Sequence, residues 1–186
     1  GFPISIKDLM FVKNEITTSG SLIFSDYVPD HDSIVVEKIK KSGAVILGKT
    51  NTPEFGLAGT THNRLGDECR NPWDIERTSG GSSGGAAAAV AAGLCSLALG
   101  SDGGGSIRIP ASFCGIFGIK PSRGRVARYG GFGGWPLFST IGPLTRSVQD
   151  SATLLQVISG RDPRDATSLR RRSNFLTPLK KRLGSI

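Results

Sequence analysis

Two glycine–serine runs and one lysine hold the residue types that acyl-transfer chemistry needs. The runs are Gly80-Gly81-Ser82-Ser83-Gly84-Gly85 and Gly103-Gly104-Gly105-Ser106-Ile107-Arg108. Glycines beside a serine let the backbone take positive φ. They also let several N–H groups converge on one point, as a developing oxyanion requires. The same glycines fit a flexible loop or an anion nest for a phosphate, and Ser82-Ser83 fits a flexible linker. A serine nucleophile needs a base. His31 and His62 have no comparable setting, so Lys7, in Ile4-Ser5-Ile6-Lys7-Asp8, is the better candidate. A lysine base must be neutral near pH 7, so burial must bring its pKa down from about 10.4 to near 7. Ile4, Ile6, Leu9 and Met10 are apolar enough to bury it, whereas Asp8 would oppose the shift if it pointed inward. On sequence alone the alternative is a surface lysine at a strand end.

The elements that must position these residues read as α/β. Ile4–Ile6 predicts a short strand leading into Lys7. Asp32–Ser42 predicts a helix with Ile34, Val35 and Ile39 on one face and Lys38, Lys40 and Lys41 on the other, closed by Gly43. Ala44–Leu47 is an apolar run that predicts a buried strand. Helix then buried strand across a short link is the rhythm of an α/β protein. Asn71-Pro72-Trp73-Asp74 predicts a turn, and Ala86–Cys95 a closely packing helix of small residues. Leu97–Leu99 predicts a short buried strand and Gly100–Gly105 a loop. Ile107 begins an element that Pro110 interrupts. Gly115–Ile119 has strand character, and Gly130–Gly134 reads as a surface loop. Ser147–Ile158 predicts a helix with Val148, Ala152, Leu155 and Ile158 on one face, ending near Gly160. There is no internal repeat. The expectation is one domain with a mixed sheet and helices on both faces.

Composition sets further bounds. A chain of 186 residues with 38% hydrophobic and 20% charged residues is ordinary for a globular domain with a real core. The net charge of +8 suggests a nucleic-acid partner, but its location argues otherwise. Residues 161–186 hold eight basic residues and two acidic ones, which leaves the first 160 residues nearly neutral. Arg170-Arg171-Arg172 reads as a solvated helix face, with a phosphate or tRNA contact as the alternative. Cys69, Cys95 and Cys114 form no CxxC pair. Cys95 and Cys114 sit in apolar surroundings and read as buried free thiols, which fits a reducing, cytoplasmic setting. No run reaches the roughly 18 apolar residues of a membrane span, so no membrane partner is predicted.

One motif is a decoy. Gly43-Ala44-Val45-Ile46-Leu47-Gly48-Lys49-Thr50 fits the P-loop pattern letter for letter. A P-loop needs a cradle of N–H groups between a strand and a helix. Here the middle residues are themselves the strand, and Thr52-Pro53 follows where the helix should run. The histidines are far apart and read as loop residues, so neither a metal site nor a cofactor is predicted.

The arrangement of Lys7, Ser82 and Ser106 resembles the amidase signature family of serine hydrolases. The resemblance runs from Gly1 to about Asp165 and is nearly unbroken from Ser79 to Pro121. It implies the mixed α/β amidase signature fold and a cis peptide bond between Gly81 and Ser82. It also implies a relay in which neutral Lys7 takes a proton from Ser82, Ser82 takes one from Ser106, and Ser106 attacks an amide carbonyl. The N–H groups of Gly103, Gly104, Gly105 and Ser106 would surround the oxyanion. Ser83 would be a supporting hydrogen-bond donor, and Asp102 and Arg108 would hold the loop without doing chemistry. Many relatives carry Thr where this chain has Gly103. Family members are more than twice this length, so the chain reads as an internal fragment, residues 1–186 of a partial domain. Its core would be 1–160, with the basic segment 161–186 leading into a C-terminal half.

The resemblance implies two enzymatic readings. The first is an amidase that hydrolyses a small-molecule carboxylic amide to acid plus ammonia or amine; a homodimer is left open. The second is the glutamine-hydrolysing A subunit of the tRNA-dependent amidotransferase, working with partner subunits and tRNA. Phe55-Gly56-Leu57-Ala58-Gly59-Thr60-Thr61 and the triple glycine favour the first. Arg125-Val126-Ala127-Arg128-Tyr129-Gly130 and Asp162-Pro163-Arg164-Asp165 favour the second. A catalytically inactive scaffold is the reading from another class; intact Lys7, Ser82 and Ser106 argue against it.

Overall fold

In the computed structural model the described residues are 1–66, 68–132, 134–170 and 174–180. The first strand, β1 (Pro3–Lys7), leads through a long connection to α1 (Ile34–Lys41) and then to β2 (Val45–Thr50). A small hairpin, β3 (Arg70–Asn71) and β4 (Asp74–Thr78), precedes α2 (Gly84–Ala91) and β5 (Leu97–Asp102). After these come α3 (Arg108–Phe113), β6 (Phe117–Gly118), β7 (Thr140–Thr145) and α4 (Val148–Ile158). The main sheet has the order β2-β1-β5-β7-β6. It is mixed: β1 runs parallel to β2 and β5, while β7 is antiparallel to β5 and β6.

The alternation of side chains along a strand divides the core in two. Ile4 and Ile6 of β1 and Leu97 and Leu99 of β5 pack with Val35, Val36 and Ile39 of α1 and Leu154, Leu155 and Ile158 of α4. Ala98 of β5 and Leu144 of β7 face the other way, onto Ala86, Ala87 and Val90 of α2 and Ala111 of α3. Helices therefore cover both faces. The reason is topological. The chain passes outward from β1 to β2 through α1, then back beyond β1 to β5 through α2. Right-handed crossovers in opposite directions put their helices on opposite faces. The segments leaving β1 and β5 accordingly diverge, and a crevice opens at the carboxyl ends of these two strands.

Several elements depart from the sequence expectation. The predicted buried strand at Ala44–Leu47 is the edge strand β2, with Val45 and Leu47 each more than half exposed. β5 continues through Gly100 and Ser101 to Asp102, where a loop was expected, because Gly100 pairs with Gly142 of β7. Leu144 and Ser83 fill the space above Gly100. The small-residue helix starts at Gly84, where a side chain would strike Thr61 and Ser79, and ends before Gly93 at φ 76°. Pro110 lies in the first turn of α3, where its missing N–H costs no hydrogen bond. The buried face of α4 is Ser151, Leu154, Leu155 and Ile158, and Val148 is half exposed. Lys38 does not share the solvent face of α1, since its Nζ donates to the carbonyls of Ile158, Ser159 and Gly160 at the end of α4.

The glycine segment at 130–134 is anchored: Phe132 N donates to Leu9 O, and its ring meets Phe11, Phe24 and Tyr27. Gly133 lies outside the described residues. In the basic segment, Arg164 pairs with Glu37 of α1 and with Asp162, and Arg170 is exposed in a bend rather than a helix. Arg171, Arg172, Lys181 and Arg182 lie outside the described residues. Cys95 and Cys114 are buried free thiols. Among the described residues no helix is long and apolar enough to cross a membrane.

A Cβ at Gly142 would sit 2.3 Å from Ile119 O. Gly142→Ala is therefore expected to destabilise the intact protein by about 1–3 kcal/mol through overpacking on β7, between β5 and β6. Chemical denaturation of wild type and variant measures this.

Candidate active site

Lys7 ends β1 in the crevice. Alternation sends Ile4 and Ile6 into the α1 side and turns Ser5 and Lys7 toward α2. The side chain of Lys7 is fully buried. Its Nζ lies 2.6 Å from Ser82 Oγ, 3.0 Å from Ser83 Oγ and 3.1 Å from Ser101 Oγ. Desolvation lowers its pKa to about 7, opposed only in part by the charge of Asp102. The neighbouring Asp8 points elsewhere: it pairs with Lys49 and accepts hydrogen bonds from Thr18 N and Thr18 Oγ1. The lysine is thus buried among hydroxyls, with no carboxylate in contact among the described residues.

Ser82 and Ser83 arrive on the segment that opens α2. The Gly81–Ser82 peptide is cis. A side chain at Gly81 would collide with the Thr60 backbone at 2.7–2.8 Å, so the close approach of these two segments requires glycine. Ser83 does more than donate. Its hydroxyl donates to Ser101 O and accepts from Ser101 N as well as from Lys7 Nζ. With its own proton engaged by Ser101 O, Ser83 can only accept from Lys7. A neutral amine has two N–H donors and one lone pair. Ser83 and Ser101 can take the two donors, which leaves the lone pair for the proton of Ser82, at the shortest of the three distances. Sequence reading missed Ser101. The available signal was its place beside Asp102 at the end of the strand next to β1.

Asp102 organises the glycine loop. Its buried carboxylate accepts from Gly105 N, Ile107 N and Arg108 N, and from Nε and Nη2 of Arg108. Burial alone would raise its pKa, but the hydrogen bonds from the Arg108 side chain and these amides outweigh it and hold the carboxyl at about 2. Of the four expected oxyanion donors, Gly105 is turned away by its bond to Asp102 Oδ1. Gly103, Gly104 and Ser106 line a pocket of about 200 Å³, together with Ser82 and Ser101. Leu57, from the run Phe55–Thr61, stands in its wall with Trp135, which was not singled out by sequence. Ser106 O accepts from Ser83 N, which ties the two serine runs together. Among the described residues Ser106 Oγ and Ser82 Oγ make no hydrogen bond to each other, although both open on the same pocket. His31 bonds Asp30 and meets the ring of Phe11, and His62 lies in a loop by Thr60. Among the described residues no cluster of three His, Cys, Asp or Glu side chains could hold a metal.

Residues 1–185 match the family model named Amidase. The chain is 53% identical over 168 residues to the A subunit of the glutamyl-tRNA(Gln) amidotransferase of Carboxydothermus hydrogenoformans, covering 90% of this chain and 35% of that protein. The crystal structure of the corresponding amidotransferase protein from Thermotoga maritima superposes with a TM-score of 0.87 at 45% identity, over 93% of this chain and 38% of that one. A structure described in connection with the origins of an s-triazine catabolic enzyme gives a TM-score of 0.93 at 39% identity, over 96% and 39%. The chain thus spans little more than a third of the length of these relatives. Fold, motifs and these matches agree that the chain belongs to the amidase signature family.

Proposed function

We propose that this chain carries the acylation site of an enzyme that hydrolyses carboxylic amides through a seryl ester on Ser106. The observation that carries the reading is the contact of 2.6 Å between a fully buried lysine amine, with a pKa of about 7, and the Ser82 hydroxyl. A substrate carbonyl oxygen would lie toward the amides of Gly103, Gly104 and Ser106. As Ser106 Oγ forms its bond to the carbonyl carbon, its proton passes to Ser82, and that of Ser82 to the lone pair of Lys7. Collapse of the intermediate breaks the C–N bond, and the proton returns along the same path to the leaving nitrogen. Water then cleaves the ester, with Lys7 again acting as base. The Ser106–Ser82 hydrogen bond completes itself when substrate seats, as such bonds often do.

A second reading has its own support. The curated relatives at about half identity are amidotransferase A subunits, for which glutamine would be the amide and partner subunits with tRNA the setting. The two readings share one site and differ in which amide fills it.

Intact protein treated with a fluorophosphonate is expected to gain one adduct, on Ser106, and Ser106→Ala to gain none. A folded wild-type chain that takes no adduct would overturn the proposal. Lys7→Ala is expected to lower kcat/KM by about 10² or more. The pH dependence follows from the sign of the Lys7 shift. The working form is the neutral amine, so activity is lost as pH falls through about 7. Log kcat/KM should rise with unit slope below that value and level off above it. A flat profile between about pH 5 and about pH 9 would rule out the lysine base.

A further inference from the structure

We propose that Trp135 is a specificity-determining wall of this pocket, and that the pocket takes a neutral, flat, apolar acyl group such as that of an aromatic carboxamide. This rests on the amide-hydrolase reading above and narrows its substrate class.

The backbone of Trp135 is fixed from two directions. Its N–H donates to Ser139 Oγ at 2.8 Å, and its carbonyl accepts from the amides of Phe138 and Ser139 at 3.1 and 2.9 Å. Ser139 is itself buried and immediately precedes β7, so the tryptophan is positioned from the N-terminal end of β7 in the main sheet. Its six-membered ring lies along the glycine loop. A Cβ built on Gly103 would stand 3.3 Å from Trp135 Cε3 and 2.7 Å from Ser139 Oγ, and one built on Gly104 would stand 3.5 Å from Trp135 Cζ3. The space that a side chain at position 103 would occupy is therefore filled by Ser139 and the indole. Glycine at 103 and tryptophan at 135 are one steric arrangement.

The consequence lies on the ring's other side. Trp135 remains 55% exposed while lining the pocket. It presents a flat apolar surface beside the amides that would receive a carbonyl oxygen. An acyl group attached to that carbonyl must pass along the indole. Leu57, 70% exposed, and Leu9 and Ile109 supply further apolar wall. Offset or edge contact between aromatic rings adds to simple burial. Among the described residues that line the pocket none is Asp, Glu, Lys, Arg or His. Glutamine would bring an ammonium and a carboxylate, whereas the charged side chains Arg123, Arg128 and Asp165 line the adjoining cavity, which shares Leu9, Ser101, Gly134 and Ser139 with this pocket, and not the pocket itself; buried charge without a partner is strongly disfavoured.

The test compares benzamide, propionamide and L-glutamine as substrates of the intact protein, with Trp135→Ala and Trp135→Phe as variants. Fluorophosphonate labelling shows that each variant keeps a folded acylation site. Wild type is expected to show kcat/KM for benzamide at least about tenfold above that for glutamine. Trp135→Ala is expected to lower the benzamide-to-propionamide ratio of kcat/KM about tenfold, and Trp135→Phe to hold it within about threefold. An unchanged ratio in Trp135→Ala overturns the proposal. Glutamine turned over faster than benzamide by wild type also overturns it, without need of any variant, and leaves the amide-hydrolase reading standing. Failure of wild type to hydrolyse any amide overturns both.

Discussion

The arrangement depends on keeping one ammonium-bearing side chain out of water. A fully buried lysine is stable only if its charge is neutralised by a partner or given up. Here no carboxylate among the described residues touches Lys7, and three hydroxyls surround its nitrogen. Burial brings the pKa to about 7, so the group can exchange a proton at ordinary pH. Everything nearby serves that condition. Ile4 and Ile6 fix the strand in the core, Asp8 is drawn away by Lys49 and Thr18, and glycines let the surrounding backbones close in.

The crevice itself follows from chain direction. A strand that crosses outward and a strand that crosses back leave their carboxyl ends facing a gap. Lys7 ends one such strand and Asp102 the other. Residues distant in sequence meet there because the sheet order brings β1 beside β5. The serine runs then need only short connections to reach the same place.

Much of this was legible in the chain. Apolar periodicity marked β1, α1 and the start of β5, and Ser147 marked the entry to α4. The two glycine–serine runs and Lys7 pointed to the residues that line the candidate site. What stayed hidden has physical causes. β7 contains Gly142-Pro143, a pair that reads as a turn, yet it is the buried neighbour of β5. Its glycine suits a crowded face and its proline sits opposite Leu99, features visible only once the strands are paired. The exposure of Val45 and Leu47 depends on β2 lying at an edge, which an apolar run cannot reveal. Ser101 and Trp135 carry no motif; one is defined by what the lysine reaches and the other by what the glycine loop leaves empty. Gly105 had the right type and position for an oxyanion donor, but the carboxylate of Asp102 draws its amide away.

Asp102 links two properties that could have been independent. It gathers the amides and guanidinium that shape the loop carrying Ser106. Its negative charge also favours the protonated form of Lys7 across the crevice. The carboxylate that gathers this loop and the charge that opposes the lowering of the Lys7 pKa are therefore one group. Because Asp102 ends β5 opposite Thr140 of β7, the sheet that holds Lys7 in place also anchors the loop.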